Sequence, residues 1–116
     1  METKSYLGSL SPEDISAALS LKFNDGSIKG SAKSVIVGKR ALMMVMDVYY
    51  LRISSNVSVS LLIEVEDNQT KIIAVCSGGA TGLLQLTFGS EKNVMKTIDK
   101  LLSDFGFLPE LNQVRI

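Results

Sequence analysis

Residues 57–66 read Val-Ser-Val-Ser-Leu-Leu-Ile-Glu-Val-Glu. Val57, Val59, Leu61, Ile63 and Val65 alternate with Ser58, Ser60, Leu62, Glu64 and Glu66. Successive side chains of a strand point to opposite faces, so period two with polar partners means a strand with one wet face. Asp67-Asn68-Gln69 turns the chain, and Lys71 to Cys76 returns to complete an antiparallel hairpin.

Upstream, Arg40 to Ser54 is a long β-prone stretch, bounded by Gly38-Lys39 on one side and Ser54-Ser55-Asn56 as the turn on the other. Ile28 to Val37 is a further strand. Before it, Ser11-Pro12-Glu13-Asp14 is a helix start: Ser11 caps free amides, Pro12 fits the first turn, and the acids face the positive end of the helix dipole. Ile15, Ala18, Leu19 and Phe23 then lie on one helical face, and Asn24-Asp25-Gly26 stops the helix. Tyr6 to Leu10 reads as a short edge strand.

Downstream, Ser77-Gly78-Gly79-Ala80-Thr81-Gly82 interrupts the pattern and Leu83 to Phe88 reads as one more strand. Ser90 caps a second helix whose apolar face is Val94, Ile98, Leu101, Leu102 and Phe105, with Gly106 as its C-cap. Pro109 to Ile116 has little to anchor it and is expected to be a disordered tail of a single domain.

The order is β-α-β-β-β-β-β-α. Short connections imply an antiparallel meander, and two amphipathic helices need one common surface. The expected fold is therefore α+β, a two-layer sandwich with the N-terminal and C-terminal helices on one face of the sheet. TATA-binding-protein-like and helix-grip folds share this kind of order, as analogies that carry no function.

Composition excludes several function classes. The 116 residues include no His and one Cys, so imidazole catalysis, His metal ligands, an internal disulfide and a CxxC pair are out of reach. Twelve basic residues balance twelve acidic ones and are scattered, which argues against nucleic-acid binding. Met1-Glu2-Thr3-Lys4 has no apolar run behind it, so no signal peptide is expected. Ala41 to Met46 is the longest apolar run, far below the ~20 residues of a membrane span. A cytoplasmic protein with no cofactor is expected.

Three groups of residues are candidates for function. The glycine-rich piece, through Ser77, Gly78, Gly79 and Thr81, could cradle an anion, although it lacks the P-loop lysine; a plain glycine bulge or tight connection between strands is the favoured reading. Asp47 lies in an apolar strand, where a buried carboxylate would seek Arg52 or Lys71; with Tyr49 it is a candidate ligand-binding residue, against the simpler reading of a sheet-surface acid in water. Cys76 has no activating base and reads as a small core hydrophobe. The Lys92, Lys96 and Lys100 stripe, with Asp99 and Asp104 nearby, reads as a solvated helix face.

The third group decides the functional expectation. Leu42, Met44, Met46, Val48 and Tyr50 share one strand face, while Met43, Val45, Asp47, Tyr49, Leu51 and Ile53 share the other. Both are largely apolar, yet only one face can be covered by two helices. Large open apolar patches are rare on soluble monomers. The expectation is a non-enzymatic interaction or assembly module, a homodimer through Met43, Val45, Tyr49, Leu51 and Ile53. The alternatives are a small apolar ligand held between the sheet and the C-terminal helix, and side chains that simply sit exposed, as single apolar residues commonly do. An enzyme using Asp47 with a neighbouring tyrosine lacks an assembled nucleophile, base and oxyanion site.

From Arg40 to Leu102 the chain resembles small uncharacterised bacterial proteins of the "domain of unknown function" kind. The resemblance lies in the strand pair from Val45 to Val65, in Ala74-Val75-Cys76-Ser77-Gly78-Gly79-Ala80 and in Phe88-Gly89-Ser90-Glu91. It implies a small cytosolic α+β domain and no particular activity.

Overall fold

A computed structural model describes residues 2–50, 55–77 and 90–110. Within them the elements are β1 (Glu2–Gly8), α1 (Pro12–Asn24), β2 (Gly30–Gly38), β3 (Ala41–Tyr50), β4 (Ser55–Glu66), β5 (Gln69–Ser77), α2 (Ser90–Asp104) and β6 (Leu108–Pro109). The strands form one 6-stranded sheet in the order β2-β3-β4-β5-β1-β6, antiparallel throughout. This is the expected α+β class.

Local chemistry sets the boundaries. The Ser11 side chain accepts a hydrogen bond from the Asp14 amide at 3.1 Å, and Pro12 opens α1; such a cap is worth about 1 kcal/mol. Asp67 and Asn68 both take left-handed backbone, with φ of 51° and 63°. That matches the two-residue hairpin turn whose twist suits the flanking strands, so Glu66 pairs directly with Gln69. At the end of α2, the Phe107 amide donates to the Leu102 carbonyl at 2.9 Å and the Gly106 amide to the Ser103 carbonyl at 3.0 Å. These two bonds, with Gly106 at φ 85°, form a Schellman cap.

Register shows that both helices lie on one face. Lys4, Ala74, Leu61, Met44 and Ser34 form one row across β1, β5, β4, β3 and β2. At one end Lys4 reaches Asp99 of α2 at 2.7 Å, and at the other Ser34 bonds Ser16 of α1 at 2.7 Å. Between these anchors Ala74, Leu61 and Met44 are fully buried. This inner face, closed by Ile15 and Leu19 of α1 and by Met95, Ile98, Leu101 and Leu102 of α2, is the core.

Several sequence expectations need correction. Tyr6 is in an interior strand, not an edge: β1 runs between β5 and the short β6. Its partner β6 comes from the segment expected to be an unanchored tail. Pro109 pairs with Tyr6 and the Glu110 amide donates to the Ser5 carbonyl at 3.0 Å, because the cap on α2 buries Phe107 and returns the chain to the sheet. Ser54 lies outside the described residues; Ser55 and Asn56, expected in a turn, are strand residues paired with Tyr50 and Tyr49. Cross-strand pairing overrides their turn preference. Ser90 is the first residue of α2. Asp99 is not on a solvated face but turned to Lys4 and Tyr6 of the sheet. The strand expected at Leu83 to Phe88 lies outside the described residues.

Candidate interaction surface

The alternation that buries one side of β3 exposes the other. Leu42, Met44, Met46 and Val48 are at most 9% exposed, whereas Met43, Val45 and Tyr49 are 41, 40 and 37% exposed. Register carries the outer apolar surface sideways. Val35 of β2, Met43 of β3, Leu62 of β4 and Ile73 of β5 form one row; Val45 and Val75 belong to the next, with Lys33 at one end and Ser60 between them. Val35 is exposed, and Leu62, Ile73 and Val75 are half-buried by their neighbours. Val35 is 58% exposed, the most open member of the patch.

Polar side chains frame this patch. On one flank Glu64 lies opposite Lys71, whose ammonium is 3.4 Å from Glu110 and 4.0 Å from Glu66. On the other flank Asp47 lies between Ser31 and Ser58 in register, next to the row that contains Lys33. Asp47 is exposed, so it is a surface acid rather than the buried, base-seeking carboxylate that an active site would use. Lys71 is committed to Glu66 and Glu110, away from it. Tyr49 shares the outer face with Asp47, two positions along the strand.

Ser77 ends β5 on this same outer face, opposite Ser58, and is half-buried. Gly78, Gly79 and Thr81 lie outside the described residues, as do Leu51 and Ile53. Of the expected interface residues, the structure places Met43, Val45 and Tyr49 together on the outer face. Cys76 is fully buried on the inner face, as a core hydrophobe would be.

One polar constellation escaped the sequence reading. Tyr6 is fully buried, and its hydroxyl donates to Asp99 Oδ1 and lies 3.6 Å from Met95 Sδ. Lys4 Nζ holds the other Asp99 oxygen at 2.7 Å. Burial and then the Asp99 carboxylate push the Tyr6 phenol far above its usual value of 10.0. A tyrosine held protonated is a poor proton shuttle at neutral pH. The trio is a strut that ties α2 to β1. Only the 3.6-residue period of α2 signals it, by placing Asp99 beside Ile98 and Leu102 on the inward side.

Between the sheet and α2, where a small ligand was the alternative expectation, Tyr6, Met95, Ile98, Leu102 and Phe107 are all buried in the common core. Among the described residues, no group of three or more Cys, Asp or Glu is placed to hold a metal ion. No helix of these residues is long and apolar enough to cross a membrane.

Comparison with curated proteins and with solved structures finds no match. A family model described as "Family of unknown function (DUF6054)" matches residues 7–106. That span takes in α1, the four-strand meander and α2, and it contains the segments on which the resemblance to an uncharacterised domain rested. The chain belongs to the DUF6054 family, a family of unknown function.

Proposed function

We propose that this protein is a non-enzymatic assembly module that self-associates through the outer face of its sheet. One observation carries the reading: Val35, Met43 and Val45, all exposed, adjoin Leu62, Ile73 and Val75 in one apolar surface on the side away from both helices, with Tyr49 beyond Asp47 on the same face. Contiguous exposed apolar patches mark interaction sites. A second copy is the occupant that the chemistry favours. The chain has zero formal net charge, so copies approach without long-range repulsion. The flanks present both signs, Lys33 and Asp47 on one side and Glu64 and Lys71 on the other, which lets a two-fold arrangement set unlike charges against each other around an apolar centre.

Sedimentation equilibrium tests it. The wild-type protein is expected to exceed the 12.6 kDa of one chain at concentrations on the order of 100 μM, a range in which even a weak interface is populated. Val45→Lys places a charge in the patch centre and is expected to weaken association at least about tenfold, since desolvating an unpaired charge costs more than 1.4 kcal/mol. A wild-type protein that sediments as a monomer, or a Val45→Lys variant that associates as the wild type does, removes the reading.

A further inference from the structure

The two ends of the sheet differ in a way that the outer face does not explain. One end is β6, two residues long and containing Pro109, a short edge of the kind that resists further pairing. The other end is β2, nine residues without proline. Along β2, Val35, Ile36 and Val37 are 58, 81 and 58% exposed. Three successive β-branched residues are open, on both faces of the strand.

The backbone of β2 has a definite hydrogen-bonding phase. The Tyr49 amide donates to the Lys29 carbonyl at 2.9 Å, which makes Lys29 and Tyr49 a hydrogen-bonded pair. Antiparallel pairs alternate, so Ser31, Lys33 and Val35 exchange bonds with β3. Ala32, Ser34 and Ile36 therefore direct their N–H and C=O groups away from the sheet. The register of β2 on β3 is unbroken up to Ile36 and shifts only between Ile36 and Gly38.

We infer that β2 pairs with β2 of a second copy, antiparallel about a two-fold axis at Val35, so that the sheet runs on from one chain into the next. The surface is a separate one from the outer face. Three features commit the edge to a second copy. First, the phase allows it: with the axis at Val35, Ser34 of each chain meets Ile36 of the other, and both have outward-directed backbone groups. Second, Lys33 is the only charged residue of β2. In this register it lies opposite Val37, whereas a slip that centred the axis on Lys33 would set two ammonium groups side by side. Third, among the described residues β2 is the long open edge and β6 a short one, so a two-fold pairing of β2 gives a closed pair rather than a fibre. The axis stands perpendicular to the sheet, so both outer patches end up on the same side of the extended sheet.

Ile36→Pro is the direct test. It removes an outward N–H and leaves the bonds to β3 in place, and proline is tolerated on edge strands. Each dimer loses two hydrogen bonds, one per chain, each worth about a factor of five, so the dimerisation constant is expected to weaken about 25-fold in sedimentation equilibrium. Ile36→Lys changes an 81% exposed side chain without touching the backbone and is expected to weaken the same step, which covers the case in which the proline variant does not fold. Val45→Lys reports on the outer face and is expected to leave the edge dimer, of twice 12.6 kDa, intact. Hydrogen exchange at the Ser34 and Ile36 amides is expected to slow as concentration rises. The inference is overturned if the wild type is a monomer, if both Ile36 variants associate as the wild type does, or if those two amides exchange at a rate independent of concentration.

Discussion

The Tyr6 strut makes stability depend on alkaline pH in a way that one substitution should abolish. In the native protein the phenol is buried against a carboxylate, and its pKa lies well above the usual 10.0. In the unfolded chain it titrates near that usual value. A raised folded pKa contributes stability that is fully present below about pH 10 and is lost as pH rises above it, since the unfolded state sheds a proton that the native state keeps. The loss is about 1.4 kcal/mol by pH 11. Tyr6→Phe removes both the titration and the hydrogen bond to Asp99. A bond to a charged acceptor is worth about 1.5 kcal/mol at the low end of its range, the end appropriate to an Asp99 side chain that is 30% exposed. The variant is therefore expected to be about 1.5 kcal/mol less stable at neutral pH and nearly as stable as the wild type by about pH 11. Urea denaturation of both proteins from about pH 8 to pH 11 reads the gap directly, and the lysines and other tyrosines common to both cancel in the difference. A gap that stays constant across that range refutes the reasoning.

Three further outcomes follow from the packing. Gly30 has φ 139° and its missing Cβ would overlap the Asp47 backbone carbonyl; Gly30→Ala is expected to cost about 3 kcal/mol or more in chemical denaturation, with β2 the first element to lose hydrogen-exchange protection. Leu61 is fully buried at the centre of the inner row, and Leu61→Ala is expected to lower stability by about 2–5 kcal/mol, through lost burial and the cavity left behind. Cys76 is fully buried, so a thiol reagent is expected to label it at the rate of unfolding, and rapid labelling of the native protein would show that the inner face opens locally.

The fold was legible where local chemistry and final packing agree. The period-two run from Val57 to Val65 states a strand, and four of its five apolar members, Val57, Val59, Leu61 and Ile63, are fully buried. Ser11-Pro12 and Gly106 mark helix ends through groups that act within a turn. What was not legible depends on distant partners. The bonds from Asp99 to Lys4 and Tyr6 span 95 and 93 residues, and read alone, Asp99 looks like any acid in a charged helix. The place of β1 inside the sheet depends on β6, whose two residues carry no periodicity of their own. Ser55 and Asn56 have turn chemistry, and only their pairing with β3 makes them strand.

The same distinction bears on the candidate surface. Sequence alternation identified two apolar faces on β3, and both helices pack on the one that carries Leu42, Met44, Met46 and Val48. The face left over cannot be explained as leftover composition. Where the sequence needed a soluble outer surface it supplied one: Glu64, Lys71, Asp47, Ser58 and Ser60 all point outward from β3, β4 and β5. Met43, Val45 and Tyr49 point the same way from β3 and are left largely apolar. Replacing them by polar residues would not disturb the inner core, because strand side chains alternate. Exposed apolar side chains on the side away from the helices are what the proposed self-association would bury. At the adjoining edge Val35 is exposed on this outer face and Ile36 on the opposite one, so a partner on the outer face would cover Val35 and Met43, and only pairing along the edge of β2 would bring a second strand against Ile36.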